Sequence, residues 1–244
     1  MSSILVTGGT GGLGRPTVER LRTAGHDARV LSRRPGNGRV VGDLETGKGV
    51  DAALDGIDTI VHLATNRRKD TPATRRLLES ARGVKHFVFI SIVGVDLIPY
   101  SYYRDKVETE RAIESSGIPF TILRATQFHD FVGEFLTAQR RLPFRIALGV
   151  PVNTIRIEEV ADRLVELASA DPAGRVADIG GPEHFSVREA VDMWQRAHGT
   201  TRPVLTLGIP GKIGAAFRAG HHMAPLPGYG AGTFGEYAVR EAAK

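Results

Sequence analysis

The sequence predicts an α/β protein built on a doubly wound parallel sheet, with a smaller α/β part toward its C-terminal end. Three observations carry this. Over the first 90 residues, short apolar runs alternate with segments of helical period. The apolar runs are hydrophobic on both faces, as in strands covered by helices on two sides. A glycine-rich turn joins the first run to the first helix.

Taken in order, Ile4-Leu5-Val6 reads as a short buried strand ended by Thr7-Gly8-Gly9. Val18, Leu21 and Arg22 lie at helical spacing in a helix reaching about Ala24, with Gly25 as its stop. Ala28–Leu31 and Arg39–Val41 are the second and third strands, Val50–Leu54 a short helix, and Thr59–Leu63 the fourth strand. Asp70 or Thr71 caps the next helix, which holds Pro72 in its first turn and runs to about Ala81. His86–Ile92 is the fifth strand. Ser101 caps a long helix to Ser116, closed by Gly117, and Phe120–Leu123 is the sixth strand. Phe131–Gln139 and Ile157–Ala168 read as helices, the second with Val160, Ala161, Leu164 and Leu167 on one stripe. Val176–Ile179 is expected as an edge strand. Ser186-Val187-Arg188-Glu189 is a capping box opening a helix to His198, where Trp194 and Met193 are core positions. Val204–Leu207 is a strand. From Gly208 onward the frequent Gly and Pro leave no element assigned.

Composition narrows the function classes. The 244 residues carry 32 Lys+Arg against 27 Asp+Glu, a net charge of +5. The absence of cysteine excludes disulfides, thiolate zinc sites and cysteine catalysis. Arginines are scattered, mostly as the pairs 33–34, 67–68, 75–76 and 140–141, with no long basic run and no interleaved aromatics, so nucleic acid is not an expected partner. The longest apolar stretch, Phe87–Val95, is far shorter than the roughly 20 residues of a membrane span, and the N-terminal residues show no leader pattern; a cytoplasmic protein with no membrane contact is expected. His221 and His222 have no acidic partner at ligand spacing, so no metal site is expected.

The turn Thr7-Gly8-Gly9-Thr10-Gly11-Gly12-Leu13-Gly14 carries chemistry. Gly8 allows a tight exit from the strand. Gly11 lets backbone N–H groups approach a pyrophosphate, and Gly14 lets the helix lie close on the sheet. The helix N-terminus then offers unpaired N–H groups and a favourable dipole to the anion. This strand–turn–helix context marks a dinucleotide-binding Rossmann core, in which Thr10, Gly12 and Leu13 are also cofactor contacts. The second strand ends Leu31-Ser32-Arg33-Arg34, where NAD sites place an acid. A guanidinium there can pair with a 2′-phosphate, which predicts NADP(H) over NAD(H), with Arg33 as main contact and Ser32 and Arg34 beside it. The expected organisation is a dinucleotide-binding core of residues 1–128 plus about 151–180. Residues 129–150 and 181–244 are expected to form a smaller substrate-side part.

Together with Gly42-Asp43-Leu44, Val61-His62-Leu63-Ala64-Thr65, Phe89-Ile90-Ser91, Tyr102-Tyr103-Arg104-Asp105-Lys106 and Leu123-Arg124-Ala125-Thr126-Gln127-Phe128, these motifs resemble the atypical short-chain dehydrogenase/reductases of the NmrA-like NAD(P)H-binding group, over roughly residues 1–180. The resemblance implies that Asp43 accepts a hydrogen bond from the adenine amino group and that Leu44 packs on that ring. It implies that Leu63, Ala64 and Thr65 line the ribose side, and that Ser91, Thr126 and Gln127 are further cofactor contacts. His62 is expected as a packed core histidine, and His129 as a proton donor or a polar residue at the pocket mouth.

Tyr102 and Lys106 have the Y-x-x-x-K spacing that puts both on one helix face. In short-chain reductases this pair is catalytic: the ammonium assists a tyrosine proton donor and holds the nicotinamide ribose. Ile92 and Val93 stand where that family's catalytic Ser or Thr falls. The implied function is hydride transfer between NADPH and a small carbonyl, quinone or enone substrate. The alternative is a non-catalytic NADP(H) redox sensor regulating a protein partner, as in some NmrA-like relatives.

Overall fold

A computed structural model describes residues 2–66 and 70–244; the Arg67-Arg68 pair lies outside the described residues. The chain forms two compact units. The first comprises residues 1–91, 101–124 and 158–177, and the second residues 92–100, 125–157 and 178–244.

The first unit holds a seven-stranded parallel sheet in the Rossmann manner. Its strands are β1 (Ser3–Thr7), β2 (Asp27–Ser32), β3 (Arg39–Val41), β4 (Thr59–His62), β5 (His86–Ile92), β6 (Phe120–Ala125) and β10 (Gly174–Arg175). The order is β10-β6-β5-β4-β1-β2-β3, so the winding reverses between β1 and β4. Ligands of such sheets bind beyond the carboxyl ends of the strands at this reversal. Helices α1 (Gly14–Thr23), α2 (Val50–Leu54), α3 (Asp70–Ser80), α4 (Ser101–Glu114) and α6 (Ile157–Ser169) accompany the sheet. Leu5, Ile60, Leu77, Phe87, Ile113 and Ile122 are fully buried in one cluster on it. Each such side chain contributes about 1.5–3 kcal/mol relative to exposure. On α1, Val18 and Leu21 are buried while Arg20 pairs with Asp162 of α6, and His26 bonds Ser169 at the end of α6.

The second unit is built on β7 (Gln127–Phe128), α5 (His129–Ala138), β8 (Arg145–Leu148), β9 (Pro151–Ile155), β11 (His184–Ser186), α7 (Val187–Ala197), β12 (Val204–Leu207), α8 (Gly211–Arg218) and α9 (Phe234–Ala242). One small sheet has the order β11-β9-β7, the other pairs β12 with β8. Its core gathers Leu136, Ala147, Val191, Trp194, Phe234 and Tyr237.

Three expectations are corrected. The edge strand is Gly174–Arg175, two residues upstream of Val176–Ile179; Ile179 keeps only an isolated bridge to Ala125. The helix expected to reach Ser116 ends at Glu114, because the Ser115 and Ser116 hydroxyls take the carbonyls of Arg111 and Ile113. Residues 151–157, grouped with the core by the sequence reading, belong to the second unit, since β9 pairs with β7 and β11. The Gly/Pro-rich tail, to which the sequence assigned no element, is ordered into α8 and α9, the latter opened by a capping box of Thr233 and Glu236.

Candidate dinucleotide site

The glycine-rich loop leaves β1 and enters α1 beside the winding reversal. Gly8 has φ +70°, and a Cβ there would stand 2.7 Å from Leu63 C and from Ala64 N. The loop after β4 therefore lies directly against the loop after β1, tied by Leu63 N–H to Thr7 O at 3.1 Å and Ala64 N–H to Thr7 Oγ1 at 3.3 Å. A Cβ on Gly14 would fall 2.1 Å from Gly8 O. Gly11 N–H donates to the same oxygen at 3.0 Å, and Arg15 Nε steadies the loop through Thr10 O at 3.0 Å. The first turn of α1 carries no acid, so nothing there opposes an anion. This is a cradle of main chain that tolerates no side chain at its two tightest points, and a diphosphate fits it.

At the end of β2, Arg34 N–H donates to Ser32 Oγ at 3.2 Å, which turns the segment and leaves the Arg33 and Arg34 side chains in solvent. Asp43 accepts Glu45 N–H at 2.9 Å and Thr46 Oγ1–H at 3.2 Å, so its carboxylate also shapes the local turn. Leu44 is half-buried against the core cluster. A cavity of about 480 Å³ runs along α1 and is lined by Gly9, Thr10, Arg15, Arg22 and Arg39 among others.

The carboxyl end of β5 and the face of α4 bring further groups together. Ser91 is buried and its hydroxyl has no protein partner among the described residues, a donor available to a bound group. Lys106 is buried, with Nζ 3.4 Å from Asp70 Oδ2 and 4.9 Å from the centre of the Phe89 ring. Asp70 Oδ2 accepts Thr65 Oγ1–H at 2.6 Å, and Thr65 Oγ1 lies 3.4 Å from the Tyr102 hydroxyl. Tyr102 and Lys106 are thus linked through Thr65 and Asp70. Burial pushes the Lys106 ammonium below the ordinary lysine value, and Asp70, then Asp105 and Glu110, oppose that. Thr126 and Gln127 belong to the second unit: Thr126 is buried, its N–H bonded to Ile179 O at 3.0 Å, and Gln127 opens β7. His129 is fully buried in the second unit's core, its ring nitrogens on Thr154 Oγ1 at 2.7 Å and Gly232 O at 3.1 Å, which does not suit it to a pocket mouth. Sequence reasoning took Asp70 only as a helix cap; nothing in the linear chain ties it to Lys106.

His62 is a core residue. Its ring bonds Thr7 Oγ1 at 2.7 Å and Thr74 Oγ1 at 2.9 Å and stacks on Phe89. Burial first, and the Lys106 charge second, hold its pKa down from 6.5 to about 3. The unfolded chain binds a proton that the folded chain refuses. The stability this gives is complete above pH 6.5 and is lost as pH falls from there toward 3, by up to about 1.4 kcal/mol per pH unit. Urea midpoints compared at pH 7 and pH 4.5 should fall less in His62→Gln than in wild type; an equal fall in both would remove His62 from the acid response.

Among the described residues no cluster of His, Asp and Glu could hold a metal, and no helix is long and apolar enough to cross a membrane.

Comparison with known proteins agrees with the fold. A family model described as NAD(P)H-binding matches residues 8–171. A (4-alkanoyl-5-oxo-2,5-dihydrofuran-3-yl)methyl phosphate reductase of Streptomyces griseus is 31% identical, over 84% of this chain and 77% of its own. A photosystem II assembly factor of Trieres chinensis is also 31% identical, over 91% of this chain and 78% of its own. Among solved structures, an NADPH-dependent quinone oxidoreductase from Escherichia coli, complexed with NADPH, superposes with a TM-score of 0.80 at 18% identity, over 98% of this chain and 99% of the other.

Proposed function

The chain belongs to the NAD(P)H-binding family, and from that premise we propose that it is an NADP(H)-dependent oxidoreductase acting on a small organic substrate of the carbonyl, quinone or enone class. The observation that carries this is the main-chain cradle at Gly8 and Gly14, opening onto the α1 N-terminus at the winding reversal. In this reading the amides of residues 10–14 bind the diphosphate, and Arg33, with Ser32 and Arg34, pairs with the adenosine 2′-phosphate. Asp43 and Leu44 hold the adenine, and Leu63, Ala64 and Thr65 line a ribose. Ser91, Thr126 and Gln127 are further contacts. The nicotinamide, when bound, supplies the hydride. Lys106 holds ribose hydroxyls with its ammonium, and the Tyr102 hydroxyl is the proton donor to a reduced oxygen. The reductase of Streptomyces griseus and the quinone oxidoreductase of Escherichia coli support a small-molecule substrate.

A second reading, an NADP(H)-binding redox sensor for a protein partner, is favoured by two specific observations. Ile92 and Val93 offer no hydroxyl where short-chain reductases carry one, and a photosystem II assembly factor is among the similar proteins. The two readings separate on one experiment. Purified protein is offered NADPH with a panel of quinones, ketones and enones, and nicotinamide absorbance is followed. Turnover on any of them supports the enzyme. Tight NADPH binding by calorimetry, with a different affinity for NADP⁺ and no turnover across the panel, supports the sensor. No binding of either dinucleotide overturns both.

The cofactor choice has its own test. Arg33→Ala should weaken NADPH binding by about 10- to 100-fold, the worth of a charge-assisted pair, and leave NADH binding little changed. Equal losses for the two dinucleotides would place the 2′-phosphate elsewhere.

A further inference from the structure

Asp70 is the first residue of α3, and its side chain is even less accessible than that of Lys106, at 2% against 5% exposure. Among the described residues three donors converge on it: Lys106 Nζ at 3.4 Å, Thr65 Oγ1 at 2.6 Å and Asn66 N–H at 2.7 Å. The carboxylate is itself held from behind. Asp70 N–H donates to Asp105 Oδ2 at 3.2 Å, and Thr71 Oγ1–H donates to Asp105 Oδ1 at 2.8 Å, so α4 grips the first turn of α3. A carboxylate anchored at its backbone and bonded through both oxygens has little freedom, and it passes that order to whatever it binds.

We propose that Asp70 is the positioning residue for Lys106: it fixes the ammonium in place at the carboxyl end of the sheet and keeps it charged, while its other bonds set the ribose-side loop at Thr65 and Asn66. The bearing on the cofactor rests on the reading that Lys106 touches it; the hold of Asp70 on Lys106 does not. Among the described residues, the two other carboxylates that act on Lys106 spend their hydrogen bonds elsewhere. Glu110, on α4, is bonded through both oxygens to Arg124, at 2.9 and 2.6 Å. Asp105, also on α4, is spent on Asp70 N–H and Thr71. Among the described residues, β5 brings the Phe89 ring and β4 the uncharged His62. A buried ammonium that loses its nearest counter-charge sheds its proton more readily, because the cost of desolvation is no longer offset.

The test reads Lys106 directly. The chain has six lysines, so protein grown with 13C,15N-lysine gives few Nζ signals, and Lys106→Arg identifies the one in question. Its titration is followed in wild type, Asp70→Asn, Asp70→Ser and Asp70→Glu, with NADPH affinity measured by calorimetry over the same pH range. The midpoint should fall by about one to three pH units in Asp70→Asn, as expected for removing an opposite charge at this distance, and return most of the way in Asp70→Glu. The serine variant keeps an oxygen for Asn66 N–H and serves if the asparagine variant does not fold. In wild type at neutral pH, Lys106 should give an ammonium signal protected from solvent exchange. An unmoved midpoint, or a wild-type Lys106 that exchanges as fast as the surface lysines, overturns the proposal. A midpoint that moves while NADPH affinity stays constant upholds the Asp70–Lys106 link and removes Lys106 from the cofactor site.

Discussion

Replacing Gly14 with alanine is expected to lower NADPH affinity by about a hundredfold, the equivalent of roughly 2.7 kcal/mol, and to destabilise the fold by up to about 3 kcal/mol. The added Cβ would meet Gly8 O at 2.1 Å, Gly9 Cα at 2.6 Å and Gly8 C at 2.8 Å. These are main-chain atoms, and they have no rotamer into which to retreat. Gly8 O also receives Gly11 N–H, so the loop turn opens when that oxygen is displaced. Helix and loop must separate, and the amides that face the diphosphate lose their common aim. Gly11→Ala is the matching control. Its Cβ would lie 3.3 Å from Gly8 O, a contact that small shifts relieve, so stability should change little while affinity falls through lost access to the amide. Thermal melts and calorimetry on the two variants check both halves. Wild-type affinity in Gly14→Ala would show that the dinucleotide does not use this loop.

Lys106→Met carries the second large effect, and it acts on two quantities at once. Removing one partner of a buried ion pair strands the other; the cost is about 3–5 kcal/mol, here borne by Asp70. Turnover should fall by about 10²- to 10⁴-fold, the range for a group that assists proton transfer. The losses separate in the double variant Lys106→Met with Asp70→Asn. A neutral pair of similar volume should recover most of the stability, yet it restores no ammonium, and the rate should stay low. Recovery of both together would mean that Lys106 serves the fold alone. Under the sensor reading there is no rate to lose, and the double variant should show weakened NADPH binding in a stable protein.

What the sequence made legible follows the range over which each residue acts. Gly8 and Gly14 meet local demands, a positive φ and a close approach within six residues of chain, and the motif states them openly. The strands from Ile4 to Ile92 are runs buried on both sides, and their apolar character is continuous. His62 sits in such a run, so its place in the core followed from its neighbours. Asp70 could be read only as a cap, because Lys106 and Thr65 reach it through tertiary packing. β7 and β10 have two residues each, too short for any alternation to register. The sequence assigned no element to residues 151–155; β9 is defined by its partners β7 and β11, which tertiary pairing supplies. The Thr233–Glu236 box before α9 was written in the chain, but the surrounding Gly and Pro masked it.

The interleaving of the two units bears on how the protein is made. Chain growth delivers β1 to β5, then nine residues of the other unit, then α4 and most of β6, then another 33 residues before α6 and β10 complete the parallel sheet. A ribosome usually releases domains that fold one after another from the amino end. Here β9 has no antiparallel neighbour until His184–Ser186 has been synthesised, and Leu136 and Trp194 lack Phe234 until α9 has followed. Neither unit can be finished while the nascent chain is short. Maturation therefore waits for both units, and a truncation that removes α9 should yield an insoluble product rather than an isolated nucleotide-binding half.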